Sequence, residues 1–172
     1  MRRKRSLTRG LLAGMAGGLA ASWAMNQFWS LQSKLQEQMQ KSGQPNSGEQ
    51  EKREQDNPTV KVAEAIARPL LGRELSSGEK KTGGAIVHYA FGALLGGLYG
   101  ILAEANHTAR SGFGTAYGAA VWLGADEIMV PALKLSPPPQ ESPVSQHLSG
   151  FGAHLIYGAT TEAVRRGLRA AA

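Results

Sequence analysis

The chain has no cysteine among its 172 residues. It therefore has no disulfide framework and no thiol chemistry. It also lacks a nucleophile elbow and a phosphate-binding loop that follows a strand. His147 and His154 are too far apart in sequence for a His-x-x-x-His metal-ligand pair. These absences predict a protein that is not an enzyme and that has no cofactor and no metal.

Charge is missing from two long segments, although the mean hydropathy of the whole chain is slightly negative. Residues 10–31 and residues 84–103 contain no Asp, Glu, Lys or Arg. About twenty such residues, at about 1.5 Å per residue in a helix, cover the hydrocarbon core of a bilayer. We therefore predict a membrane helix in each segment. For the first, a signal peptide cleaved near Ala24 is the alternative.

Small residues recur at intervals of four in the apolar segments. This small-x-x-x-small spacing lets two helices approach backbone to backbone, where larger side chains would hold them apart. We therefore predict that the helices pack through glycine faces. The predicted packing residues are Gly14, Gly18, Gly92, Gly96, Gly100, Gly114, Gly118 and Gly158.

Local signals place the remaining elements. Residues 34–57 are rich in Gln, Glu, Lys and Ser, which predicts a disordered polar loop or, in its first part, an extension of the first helix. Asn57-Pro58 predicts the start of a short amphipathic helix, which fits either a membrane surface or a soluble core. Ser76-Ser77-Gly78-Glu79 forms a capping box before the second apolar segment. A proline-rich stretch, residues 134–143, separates the third apolar segment from the fourth.

These elements predict an all-α integral membrane bundle of about four Gly-rich transmembrane helices plus one short amphipathic surface helix. Residues 1–33 would form a basic cytoplasmic N-terminus and the first membrane helix, and residues 34–57 the polar loop. Residues 58–172 would hold the amphipathic helix and three further membrane helices, in one domain with the first. Basic residues before the first span and after the last predict two cytoplasmic termini.

The net charge of +6 comes without a nucleic-acid recognition motif. The lipid bilayer is therefore the expected partner, and nucleic acid is not. A second copy of the chain or a membrane partner protein is a further expectation, because glycine faces can also dock another helix.

The second and fourth apolar segments resemble each other. The matching residues are Phe91-Gly92-Ala93 and Tyr99-Gly100-x-x-x-Glu104 in one, and Phe151-Gly152-Ala153 and Tyr157-Gly158-x-x-x-Glu162 in the other. Duplication of a helical hairpin explains this match. Chance similarity between Gly/Ala-rich helices is the alternative.

Ionisable side chains inside a membrane are costly and point to a specific role. The predicted intramembrane polar cluster comprises His88, Asp126, Glu127, His147, His154 and Glu162. Helical periodicity puts His147, His154 and Glu162 on one inward face, and we expect Asp126 or Glu127 to pair with one of the two histidines. Such pairs either stabilise the bundle by hydrogen bonds or sense and relay protons. For Glu162, an ion pair with Arg165 and Arg166 at the cytoplasmic edge is the alternative. Glu104, at the end of the second span, is expected to be solvated.

Three stretches resemble the YagU-like family of small bacterial inner-membrane proteins, a domain of unknown function. They are VHYAFGALLGGLYG (residues 87–100), YGAAVWLGADEIMVPALKLS (residues 117–136) and HLSGFGAHLIYGATTEAVRR (residues 147–166). The resemblance covers the first apolar helix and most of residues 59–169. It implies an integral inner-membrane protein, and one branch of the family is associated with acid tolerance.

Four hypotheses for the function follow. The first is a non-enzymatic inner-membrane protein that acts in acid or envelope stress tolerance through the polar cluster. The second is a structural or adaptor subunit that docks a partner through its glycine faces, and the third is a proton or small-ion transporter. The fourth is a secreted soluble helical domain released by signal-peptide cleavage.

Overall fold

The computed structural model describes residues 6–39 and 57–171, and the regular elements of these two ranges are all helical. The all-α prediction is therefore confirmed. The basic residues 1–5 and residues 40–56 of the predicted polar loop lie outside the described residues. The long elements are α1 (Leu7–Met39), α3 (Ser77–Ala105), α4 (residues 115–132) and α5 (Val144–Ala171), and a short helix, α2, covers Pro58–Leu71.

The starts of α2 and α3 follow the predicted local signals. The side chain of Asn57 accepts a hydrogen bond from the Thr59 backbone N–H at 3.0 Å, and Pro58 occupies the first helical position. The backbone N–H of Ser76 donates to the Glu79 carboxylate at 2.8 Å, which completes the capping box. These two bonds satisfy N–H groups that the first turn of a helix leaves without a partner.

The first helix is the centre of the bundle. α1 is antiparallel to both α3 and α5, which pack on two of its sides. It continues to Met39, so residues 34–39 extend the first helix. α2 packs against the first turns of α3, where Val60 abuts Gly84 and Ala63 abuts Gly83.

The fourth element is not a uniform α-helix. α4 consists of an α-helical part, Thr115–Val121, a π-helical part, Trp122–Met129, and a last α-helical turn, Val130–Ala132. Residues 107–114 lead into it: they begin with a 3-10 turn and then leave helical geometry at Ser111, Gly112 and Phe113. A further 3-10 turn, Pro139–Glu141, lies before α5. The π-helical part was not predicted, because hydrophobic periodicity does not specify the hydrogen-bond register of a helix.

By length and composition, one helix of the described residues, Ser77–Ala105, can cross a membrane. This helix contains the second predicted span, and it supports a membrane location for the chain. Composition thus supports one of the four predicted spans. Polar residues interrupt the fourth, α5, among them His147, His154 and Glu162.

Candidate functional site

A glycine seam joins α1 to α3. A Cβ atom added to Gly14 or Gly18 would overlap the backbone of α3 at Gly96 and Gly92 respectively. A Cβ atom on Gly100 would overlap the carbonyl of Gly10 in the same way. The two backbones are therefore in direct contact along several turns, which only residues without a side chain allow.

A second seam joins α4 to α5 with the same geometry. A Cβ atom on Gly114 would overlap Gly158, and one on Gly118 would overlap the carbonyl of His154. Gly10 and Gly14 meet α3 in the corresponding way, at Gly100 and Gly96. The hairpin of α1 and α3 and the hairpin of α4 and α5 are thus alike in packing, as duplication of a hairpin would make them.

The structural alignment of the two hairpins agrees with one part of the sequence match and differs from the other part. Tyr-Gly-x-x-x-Glu occupies equivalent positions in α3 and α5, because Glu104 abuts Gly10 and Glu162 abuts Gly114. The Phe-Gly-Ala match is not structural: Gly92 abuts α1 at Ser22, whereas Gly150, and not Gly152, abuts α4 near Asp126. In this alignment Asp126 corresponds to Ser22.

The π-helical part of α4 carries two acids that both reach α5. Glu127 Oε1 lies 2.7 Å from His147 Nδ1, and His147 Nε2 lies 3.0 Å from the Pro139 carbonyl oxygen. Asp126 Oδ2 lies 3.6 Å from His154 Nδ1, which is also 2.9 Å from the Gly150 carbonyl oxygen. We call these two His–carboxylate contacts the outer pairs. Each predicted acid thus lies beside one of the predicted histidines.

His88 takes no part in the outer pairs. It lies on α3, and its ring hydrogen-bonds to the backbone of Ser22 on α1. Its Nε2 atom and the Ser22 hydroxyl are buried and have no partner among the described residues. The space beside the Ser22 hydroxyl is filled by Gly92.

Glu162 lies at the other end of the bundle, in a network of charges. Its side chain is fully buried and accepts hydrogen bonds from Tyr99 at 2.9 Å, from Arg165 at 2.7 and 3.0 Å, and from Arg166. Glu104 pairs with the same group of arginines, at 3.3 Å from Arg165 and 2.9 Å from Arg169. We call these residues the inner network.

The six residues of the predicted polar cluster do not form one contact group, and the alternative pairing of Glu162 with Arg165 and Arg166 is the one observed. The structure brings together four of the six as the outer pairs, leaves His88 apart, and places Glu162 in the inner network. Glu104 is 7% exposed, so the expectation that it is solvated is wrong. The Tyr-Gly-x-x-x-Glu repeat was the signal for Glu104, since it puts the two glutamates at equivalent positions of antiparallel hairpins.

Tyr117 and Tyr157 lie between the outer pairs and the inner network, next to Tyr99 of that network, and we call these three residues the tyrosine layer. Tyr157 lies between His154 and Glu162 along α5 and donates to the Gly92 carbonyl at 2.6 Å. Tyr117 donates to the Leu95 carbonyl at 2.7 Å, and its ring centroid lies 4.8 Å from that of Tyr99. Two of these hydroxyls bond the backbone, so no continuous side-chain hydrogen-bond chain joins the two ends through the described residues.

The described residues hold no group of three or more His, Asp or Glu side chains arranged to bind a metal ion. Each outer pair has one carboxylate and one imidazole, which is fewer than the four ligands of a structural zinc site. The chemistry open to these pairs is proton binding and ion pairing.

The His147–Glu127 pair predicts that stability depends on pH. The hydrogen bond to Glu127 raises the pKa of His147 above its ordinary value of 6.5. The protonated ring therefore stabilises the fold fully below the unfolded-state pKa, and this contribution is lost as pH rises through the higher folded-state pKa. We expect the melting temperature in detergent to fall as the pH rises above about 6.5, the ordinary pKa of histidine, and to fall less in His147→Gln.

His107→Gln is the matched control for this prediction, because His107 is exposed at the opposite end of the bundle. It should keep the wild-type dependence of melting temperature on pH. An unchanged dependence in His147→Gln would contradict the prediction.

The fold and the polar residues together define a class: an all-α bundle with glycine seams, two outer pairs and a buried inner network. The chain belongs to the DUF1440 family, described as a protein of unknown function, whose model matches residues 39–163. No curated protein matches the chain, and no solved structure does.

Proposed function

We propose that the chain is a multi-pass inner-membrane protein in which α1, α3, α4 and α5 cross the bilayer through residues 10–31, 84–103, 115–132 and 149–165. The supporting observation is that the distribution of its side chains is the reverse of that in a water-soluble protein. Small and polar residues fill the interior, including Ala21, Ala153, Thr161 and Glu162. Large apolar side chains point outward, among them Leu12, Leu19, Leu31, Ile86, Leu94, Leu98, Leu123 and Ile128. Water disfavours such a surface, whereas lipid solvates it.

The orientation follows from charge. The first turn of α1 and the last turns of α5 lie at the same end of the bundle as the inner network, because Gly10 abuts Glu104. Basic residues lie at both ends of the described bundle, for example Arg165 and Arg169 at this end and Lys80 and Lys81 at the other. The proposed orientation therefore rests on the basic residues that precede the first span and follow the last: with these on the cytoplasmic side, the inner network faces the cytoplasm and the outer pairs face the opposite side.

The proposed role is a response to protons that reach the outer side, in tolerance of acid stress, without enzymatic activity. The observation that carries it is a difference between the two hairpins. Where the α4–α5 hairpin has Asp126 and His154, the α1–α3 hairpin has Ser22 and Gly96 at the equivalent positions. A hairpin of this geometry packs without an ion pair, so the pair is an addition to the packing.

Protonation is the chemistry that such an addition supplies. An imidazole changes charge between about pH 5 and 8, and its attraction to a carboxylate changes with it. The outer pairs connect the π-helical part of α4 to α5, so their strength sets how tightly these two elements hold together. The tyrosine layer favours a response over proton transport, because it interrupts the polar path between the two ends. The YagU-like resemblance supports the acid-stress role through one branch of that family.

Growth under acid challenge tests this role. Asp126→Asn and His154→Gln remove one partner each, and we expect both strains to lose acid tolerance. A pair that biases two arrangements by about 1.4 kcal/mol changes their ratio about tenfold, which is enough for a measurable growth difference. Internal pH during the challenge should fall faster in both variants than in the wild type.

The matched controls are Glu74→Gln and His107→Gln, an acid and a histidine that are both exposed and away from the outer pairs. They should keep wild-type tolerance. Unchanged tolerance in both test variants would overturn the acid role.

The number of spans and the orientation are tested by a separate experiment, in which tags on the two termini are tested for accessibility in intact cells.

A further inference from the structure

Arg166, a member of the inner network on α5, presents an open guanidinium group. Its side chain is 51% exposed. Its Nε atom donates to Glu162 at 2.5 Å, and the Phe113 ring lies against the guanidinium with its centroid 4.6 Å away. Its two terminal nitrogens donate to no group in the described parts of the chain. The guanidinium group is thus held by Glu162 at its Nε atom and by the Phe113 ring at one face, and its two terminal nitrogens remain open to a ligand.

The backbone at Phe113, the residue whose ring meets Arg166, has a strained conformation. Phe113 has φ 57° and ψ 40°, in the left-handed region that side chains other than glycine disfavour. The ring remains 44% exposed, so it does not gain this position by burial in the bundle. Strained backbone of this kind persists where the surrounding structure enforces it, and it is common at binding sites.

The end of the bundle around Arg166 is both basic and apolar. Its described residues include five arginines and two glutamates, a net charge of +3. Two exposed leucines, Leu102 and Leu168, belong to the same end. A soluble anion matches only the charge of this surface. A phospholipid with an anionic headgroup matches both properties, because its phosphate and its acyl chains are adjacent.

We propose that Arg166 and Phe113 form a binding site for the headgroup of an anionic phospholipid in the cytoplasmic leaflet. The proposal rests on the membrane location inferred above. The terminal nitrogens of Arg166 donate to two phosphate oxygens, a geometry that the guanidinium fork matches. The Phe113 ring packs on the glycerol backbone. Basic pockets of this kind on the cytoplasmic side of helical bundles recognise lipid phosphates.

Lipid retention measured on the full-length protein in neutral detergent tests the site. Native mass spectrometry would follow binding of a short-chain phosphatidylglycerol and, separately, of a phosphatidylcholine with the same chains. The wild type should retain phosphatidylglycerol in preference. Arg166→Gln should lower that retention about fivefold, the effect of about one basic residue near an anionic lipid. Arg166→Lys keeps the charge but loses the fork, so its retention should lie between the two.

Phe113→Ser is the second variant, because it leaves the Arg166–Glu162 contact in place and keeps the test valid if Arg166→Gln does not fold. It should also lower retention. Arg68→Gln, which changes an exposed arginine of α2 at the other end of the bundle, should not. Equal retention of both lipids by the wild type, or wild-type retention by Arg166→Gln and Phe113→Ser, would overturn the proposal.

Inorganic phosphate separates a lipid site from a general phosphate site. Millimolar phosphate should not displace phosphatidylglycerol, because it lacks the apolar part that Phe113 contacts. Displacement would overturn the lipid assignment. The measurement is made in detergent and does not depend on acid tolerance or on the number of spans. A negative result here therefore leaves the proposed topology standing, and a wrong topology would appear in the accessibility of the termini.

Discussion

Glu162→Gln should destabilise the protein by about 3–5 kcal/mol, as removal of one partner of a buried ion pair does. Arg165 is 3% exposed, and Glu162 gives it two of its three hydrogen bonds to carboxylates. With a neutral amide at position 162, Glu104 alone would balance Arg165 and Arg169. The expected measurement is a large fall in melting temperature in detergent, at constant lipid and pH.

Two comparisons make this result specific to burial. Glu74→Gln breaks an exposed pair with Arg68 and should change the melting temperature little, since exposed ion pairs contribute little to stability. The double variant Glu162→Leu with Arg165→Met removes both charges and should recover much of the lost stability. Wild-type stability in Glu162→Gln would show that the inner network is not a stabilising unit.

The sequence predicted best what local chemistry determines. Asn57 and Pro58 begin α2, and the Ser76–Glu79 capping box begins α3, because a helix start depends on the few residues that bond its first N–H groups. The apolar segments likewise became long helices. The inward face of α5 follows from the period of 3.6 residues, and its buried residues include His154, Thr161 and Arg165.

Contacts between helices were predicted less well, because they depend on rotation and register. Glu104 ends an apolar segment in the sequence, and nothing near it in the chain indicates that Arg165 and Arg169 cover it from α5. The Phe-Gly-Ala match failed for the same reason: similar residues two positions apart face different neighbours on a helix. The π-helical part, which carries Asp126 and Glu127, leaves no trace in the hydrophobic pattern.

The two ends of the bundle differ in what they can do. The inner network is buried and its carboxylates are surrounded by arginine, so it holds α3 and α5 together over a wide pH range. Of the outer pairs, the His147–Glu127 pair depends on pH, because the hydrogen bond to Glu127 raises the pKa of His147. Under the proposed role, protonation at the outer pairs changes the contacts between α4 and α5, while the inner network keeps α3 and α5 together.

The glycine seam predicts the second large effect. Gly14→Ala and Gly96→Ala should each destabilise the protein by about 1–3 kcal/mol or more, the usual cost of overpacking. Each added methyl group would overlap the backbone of the facing helix, and backbone cannot move aside as a flexible side chain can. The same seam holds α1 against α3 over several turns, so a local separation of the two helices affects neighbouring contacts as well.

Gly124→Ala is the matched control, because a Cβ atom there meets nothing within 4 Å. It should leave the melting temperature unchanged or raise it, since alanine is favoured over glycine in a helix by about 1 kcal/mol. The contrast separates the two roles a helical glycine can have: loss of stability at Gly14 and Gly96 reports close backbone contact, whereas a gain at Gly124 reports helix propensity alone. Equal effects at all three positions would mean that α1 and α3 do not meet through their backbones.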